Sequence, residues 1–241
     1  MGGEQTKRTR VALVTGGNRG IGLEVCRQLA ALGVTVLLGS RDLNAGAAAA
    51  GQLTLTSAQL KVKPVKLDIT SSADIAAARA LVEREFGALD ILVNNAAVLA
   101  GEDAGILEVS DSELKETFDV NVVAQLAMCR AFVPGMVERR YGRVVNVSST
   151  AGQLQSMATY APAYSISKTA LNALTKVVAG SVSGSGVLVN SVNPGWVRTS
   201  MGGPHAPLTV AQGADTIVWA ATLADNGPTG AFLSNRRPIA W

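Results

Sequence analysis

A lysine four residues after a tyrosine sets an ammonium one helical turn from a phenol, and such a pair can move a proton. The stretch YAPAYSISK, residues 160–168, holds Tyr160, Tyr164 and Lys168 at that spacing. A free phenol titrates near pH 10 and is a poor proton donor or acceptor at neutrality; a neighbouring cation lowers that value. Taken alone, the stretch does not establish chemistry. Tyrosines near lysines at helical spacing more often pack or stack a cation.

A second chemical element lies near the N-terminus. TGGNRGIG, residues 15–22, joins a short apolar run to a helical segment. Glycines 16, 20 and 22 allow a tight turn and close approach of backbone to a pyrophosphate, and the helix N-terminus aims N–H groups at the anion. The spacing is GxxxGxG rather than GxGxxG. The second apolar run ends GSRD, residues 39–42. An acid there would bind a ribose 2′-hydroxyl, and an arginine a 2′-phosphate. Arg41, joined by Arg19 from the glycine turn, suits the phosphate through guanidinium contacts. Asp42 reads as the N-cap of the next helix. The expected cofactor is NADP(H) rather than NAD(H).

Composition removes several other classes. Apolar residues make up 48% of 241, which excludes disorder. A net charge of +3 with 4% aromatic residues gives little to hold nucleic acid. Cys26 and Cys129 form no CxxC, and His205 is the sole histidine, so no metal site is expected. The two thiols read as free and buried. MGGEQTKRTR has no apolar leader core, and no apolar run approaches 18 residues, so a cytoplasmic protein off the membrane is expected. Residues 1–8 read as a flexible tail.

The elements that must position these groups alternate along the chain. Strands are expected at 10–15, 34–39, 61–66, 89–93, 142–147, 187–192 and 231–233. Helices are expected at 20–32, up to 58, 72–86, 111–140, 163–182 and 208–223. Nearly continuous apolar strands are buried on both faces, and strand–helix alternation gives an α/β, doubly wound parallel sheet of the Rossmann type in a single domain.

With these motifs in place, the chain resembles the short-chain dehydrogenases/reductases over nearly its whole length. TGGNRGIG matches TGxxxGxG, Asp68 in LDIT the adenine-contacting acid, and NNAA (94–97) the NNAG element. Asn121 in FDVNVVAQ, Ser149 in NVSSTAG, and Tyr164 with Lys168 in YSISK match the family's catalytic tetrad. NPGWVRT (193–199) matches the segment that covers the nicotinamide. GRVVNVSS, SRD and PGWVRT look most like carbonyl reductases, whereas Ala97 departs from the family's glycine. The resemblance implies cofactor contacts from Gly16, Asn18, Arg19, Gly20, Ile21, Gly22, Arg41, Asp68, Ile69, Asn95, Ala96, Lys168, Pro194, Gly195, Val197 and Thr199.

The same resemblance decides between the tyrosines and assigns roles. Tyr164 is the general acid or base of carbonyl reduction; Lys168, with the positive oxidised nicotinamide, lowers its pKa and reaches the ribose. Ser149 donates to the substrate oxygen as charge develops, chosen over Ser148 because the family's serine stands three before a glycine, here Gly152. Asn121 anchors a water that relays protons from Lys168. Leu154, Gln155, Met157, Tyr160, Trp196 and Met201 are expected to line a pocket for a fairly apolar ketone or aldehyde. Residues 200–208 read as a mobile lid, with His205 solvated in it.

Monomeric carbonyl reductases of this kind carry a long insertion between the serine and the tyrosine, absent here, where the two stand 15 apart. A homodimer or homotetramer covering the long helices is therefore expected. The expected function is NADPH-dependent carbonyl reduction of a small molecule. The alternatives are a biosynthetic ketoreductase on a carrier-bound or natural-product substrate and a non-catalytic NADP-binding regulator, the latter weakened by the presence of Tyr164 and Lys168.

Overall fold

The computed structural model describes residues 9–157 and 159–241; the expected tail 1–8 lies outside the described residues. Its centre is one eight-stranded sheet: β1 Val11–Val14, β2 Thr35–Ser40, β3 Val62–Lys66, β4 Ile91–Asn94, β5 Gly142–Val147, β6 Val187–Val192, β7 Phe232–Ser234 and β8 Arg237–Ile239. The order is β3-β2-β1-β4-β5-β6-β7-β8, parallel throughout except for the antiparallel pair β7–β8. The helices are α1 Gly20–Ala31, α2 Leu43–Thr56, α3 Ser72–Phe86, α4 Asp111–Phe118, α5 Ala124–Glu138, α6 Pro162–Ser181 and α7 Val210–Ala221.

Period-two alternation sorts each strand's side chains between two helical layers. Ala12 and Val14 of β1, with Val36 and Leu38 of β2, pack against α1, α2 and α7. Val11, Leu13 and Leu37 point the other way, into α3, α5 and α6. Leu13, Leu37, Leu38, Ile91 and Leu92 are wholly buried, and each such side chain contributes roughly 1.5–3 kcal/mol relative to exposure.

Two elements differ from expectation. The helix expected over 111–140 is broken by a π-helical turn at Asp119–Val123, between α4 and α5. Such turns insert one residue into the hydrogen-bond ladder and mark functional positions; this one carries Asn121. The α4–α5 stretch is long and apolar enough by composition to span a bilayer, with a window of mean hydropathy 1.4. Its apolar side, however, including Met128, Phe132, Val133 and Met136, is buried in the sheet-facing core. The second difference is β8, in the segment RRPIA, where charge and proline conceal an edge strand.

Strand order reverses between β1 and β4, whose outer neighbours are β2 and β5. In open α/β sheets the crevice at the carboxyl ends of strands beside such a reversal is the place for a ligand.

Candidate active site

A cleft of about 1490 Å³ opens at that crevice. All of the cofactor residues anticipated from the resemblance line it: Gly16, Asn18, Arg19, Gly20, Ile21, Gly22, Arg41, Asp68, Ile69, Asn95, Ala96, Lys168, Pro194, Gly195, Val197 and Thr199. Gly16 and Gly20 have φ of +61° and +55°, a region costly for side-chain-bearing residues. A Cβ on Gly22 would lie 2.3 Å from the Gly16 carbonyl oxygen, so the turn tolerates none. Thr15 straps the turn to the end of β4, its hydroxyl accepting from Asn95 N (2.9 Å) and Ala96 N (3.0 Å). Asn95 Nδ2 donates to Thr15 O and Gly16 O.

The donor set fits a dinucleotide with a 2′-phosphate. The N-cap of α1 is Arg19, whose side chain makes no capping bond, so the first-turn amides have no side-chain acceptor and face the cleft. Asp42 is occupied otherwise: its carboxylate caps α2, accepting from Asn44 N at 2.8 Å and Ala45 N at 3.2 Å. Arg41 faces the cleft beside Asp68, whose carboxyl is held below its usual range by the Thr70 hydroxyl and N–H. Ala97 does not sit at positive φ, so the methyl that replaces the family's glycine meets no backbone conflict there.

Deeper in the cleft stand Ser149, Tyr164 and Lys168. Ser149 follows β5 and lines the cleft with the Tyr164 phenol, whose pKa it draws down slightly; its hydroxyl accepts from Ala151 N at 3.1 Å. Ser148 also borders the cleft, but its hydroxyl is buried and donates to Lys168 O at 3.4 Å. Tyr164 and Lys168 lie on the first turns of α6, which begins at Pro162 after a left-handed Ala161, φ +43°. That turn sends the two tyrosines to different places. Tyr164 is half-buried and lines the cleft, whereas Tyr160 is half-exposed and its hydroxyl donates to Glu102 across the mouth.

Two features of the tetrad bear on the roles expected of it. Lys168 does not lower Tyr164's pKa within the chain alone. Burial dominates both groups, pushing Tyr164 up to about 12 against a smaller opposing effect of Ser149, and Lys168 down to about 7. Desolvation disfavours each charged form, and a lysine held near neutrality offers little cation to its neighbour. Lys168 Nζ lies 5.4 Å from the Tyr164 ring centroid and donates to Val147 O at 2.8 Å.

Asn121 lies outside the cleft lining, and its amide is fully engaged. Oδ1 accepts from Val98 N at 2.9 Å, while Nδ2 donates to Val98 O and Ser167 Oγ, both at 3.0 Å. It staples the loop after β4 to α6.

The expected substrate wall is half displaced. Tyr160, Trp196 and Met201 line the cleft, but Leu154, Gln155 and Met157 do not. The 3₁₀ turns at Thr150–Gly152 and Leu154–Ser156 direct those three to solvent, Leu154 at 66% exposure. Glu102 and Thr15 were not anticipated. Glu102 is 58 residues from its partner Tyr160, beyond the reach of spacing arguments, whereas Thr15 heads the glycine motif and could have been read as its anchor. Residues 200–208 are tied at both ends, by Gly203 N to Thr199 O at 2.9 Å and by pairing of Leu208 with Val197.

The geometry is thus that of a dinucleotide-binding α/β enzyme with a half-buried phenol in its cleft. A family model described as short chain dehydrogenase matches residues 10–207, and the chain belongs to that family. It is an oxidoreductase. Among its relatives, NADPH carbonyl reductase 1 of Sus scrofa is 31% identical over 286 aligned positions, covering 98% of this chain and 96% of the relative. (+)-Neomenthol dehydrogenase of Capsicum annuum is 30% identical, covering 95% and 97%. Among solved structures, NADPH-bound carbonyl reductase from chicken fatty liver superposes with a TM-score of 0.85 at 31% identity, covering 98% and 100%. Actinorhodin polyketide ketoreductase with NADPH gives 0.84 at 26%, covering 93% and 95%. The alignment with the porcine relative spans more positions than this chain has residues, so that relative carries segments absent here.

Proposed function

We propose that the chain reduces a fairly apolar ketone or aldehyde to the alcohol with NADPH. The observation that carries this reading is the half-buried Tyr164 phenol, which lines one cleft together with Ser149, Lys168, the glycine turn and Arg41. The cofactor is NADP(H), in keeping with Asp42's use as a cap and with the NADPH named in the relatives.

The cofactor supplies the hydride; the chain's residues do the rest. The turn from Gly16 to Gly22 and the start of α1 hold the pyrophosphate, and Arg41 with Arg19 holds the 2′-phosphate. Ser149 hydrogen-bonds the carbonyl oxygen and orients it toward Tyr164. Tyr164 delivers its phenolic proton to that oxygen as negative charge develops. A phenol pushed up to about 12 remains protonated at neutral pH, which suits the reducing direction. Lys168 anchors the inner wall through Val147 O and, once charged, stabilises the phenolate left behind. Asn121 keeps α6 and the loop after β4 in register.

A screen of NADPH loss over ketones and aldehydes of graded size tests this reading. Turnover of at least one series supports it; NADPH binding with no turnover of any carbonyl refutes it. Arg41→Ala is expected to erode the preference for NADPH over NADH in kcat/KM by roughly 10–100-fold, the worth of a charge-assisted phosphate contact. Equal use of both cofactors by the unmutated protein would contradict the phosphate assignment.

A second reading, a biosynthetic ketoreductase on a carrier-bound or natural-product substrate, is favoured by the short 149–164 connection and by similarity to the actinorhodin ketoreductase. The chain is further proposed to be cytoplasmic and to form a homodimer or homotetramer through the outer faces of its long helices, where Val123 and Val177 are 58% and 69% exposed. Light scattering is expected to give a mass at least twice the 24.8 kDa of one chain. A monomer across the micromolar range would overturn the assembly.

A further inference from the structure

Asn193 closes β6 immediately before the Pro194–Gly195 turn and is 5% exposed. Its one carboxamide oxygen accepts two backbone N–H bonds from different segments: Thr150 N at 3.2 Å and Gly195 N at 3.0 Å. Thr150 is the residue after Ser149. Gly195, at φ +79°, forms the turn that lines the cofactor side of the cleft. The amide nitrogen faces away and donates to Ser234 Oγ on β7 at 3.4 Å. The same catalytic turn is gripped on its other flank by Asn172 of α6, whose Nδ2 donates to Gly152 O at 3.1 Å and whose Oδ1 accepts from Ser191 Oγ at 2.7 Å.

We propose that Asn193 is a positioning residue: its carboxamide oxygen fixes the distance between Ser149, which orients the carbonyl, and the turn that covers the hydride donor. Strand pairing reaches only to Ser148, whose N–H donates to Val192 O at 2.8 Å; beyond it the two segments are joined through Asn193. The reacting atoms must meet within a few tenths of an ångström, and a misplacement of about 1 Å costs about 10²-fold in rate. An acceptor shared by both walls sets that separation directly. The role rests on the reductase reading above.

Asn193→Ala removes the acceptor, Asn193→Asp keeps it, and Ser234→Ala removes only the partner of Nδ2. The expected result for Asn193→Ala is a kcat lower by about 10–100-fold, with NADPH affinity within about threefold, while the other two variants stay within about threefold of the unmutated protein. Should the alanine variant not fold, Asn193→Ser, too short to span both N–H groups, carries the same expectation. A kcat near the unmutated value in the Ala or Ser variant overturns the role. So does Ser234→Ala matching the loss, since the effect would then run through strand packing.

An arm independent of turnover follows the backbone amides of Thr150 and Gly195 by NMR during NADP⁺ titration. Both are expected to shift in the unmutated protein, and the Thr150 response to fall by at least half in Asn193→Ala while that of Gly195 persists. An undiminished Thr150 response overturns the coupling even if no carbonyl substrate is found, whereas loss of that response in an inactive chain supports it and refutes only the reductase reading.

Discussion

Tyr164→Phe is expected to abolish carbonyl reduction while leaving NADPH binding within a few-fold of normal. The substitution removes a single oxygen from a half-buried ring, so the packing of α6 against the sheet is retained. What disappears is the proton donor that shares the cleft with Ser149. General acid catalysis contributes about 10²–10⁴-fold, and no other phenol can replace it: Tyr160 is held at the mouth by Glu102. Steady-state kinetics beside fluorescence titration of NADPH separate the two effects. A phenylalanine variant with more than about a tenth of normal kcat would overturn the assignment of Tyr164.

Lys168→Met carries the second large effect, in activity and in the pH dependence of stability. Activity is expected to fall by about 10²-fold or more, because the group that takes up positive charge as the phenolate forms is lost. The stability consequence follows from burial. Lys168 falls from an ordinary 10.5 to about 7 in the folded chain. Between those values the unfolded chain binds a proton that the folded chain does not, so this group makes unfolding free energy rise with pH, by about 1.4 kcal/mol per unit. Below about pH 7 both states are charged and the cost of burying the ammonium is fully present. Urea unfolding at several pH values between 7.5 and 9.5 should show that rise in the unmutated protein relative to Lys168→Met. Parallel curves would show that the lysine is charged in the folded state.

Features set by neighbours in sequence were legible before the fold was seen. The role of Asp42 followed from its place before a helix, and the capping bonds to Asn44 and Ala45 are there. The parallel sheet followed from apolar runs such as RVALVT. What stayed hidden depends on distance or on the backbone's fine geometry. FDVNVVAQ has the composition of an uninterrupted helix, and the π turn inside it arises because Asn121 must reach Val98 and Ser167 at once. Leu154, Gln155 and Met157 have the right chemistry for a pocket wall, but two 3₁₀ turns rotate them outward. The desolvation of Tyr164 and Lys168 also stayed hidden, because spacing reveals a neighbour's charge and not the water removed from both.

The double employment open to Asp42 bears on redesign of the coenzyme preference. Engineers who wish to run such a reductase on the cheaper, unphosphorylated coenzyme commonly look for a carboxylate at the end of the second strand, and one stands here already. It is committed to the amides that start α2. Recruiting it would uncap that helix, at a typical loss of about 1 kcal/mol. A successful conversion must place a fresh acid at position 41 and leave position 42 untouched.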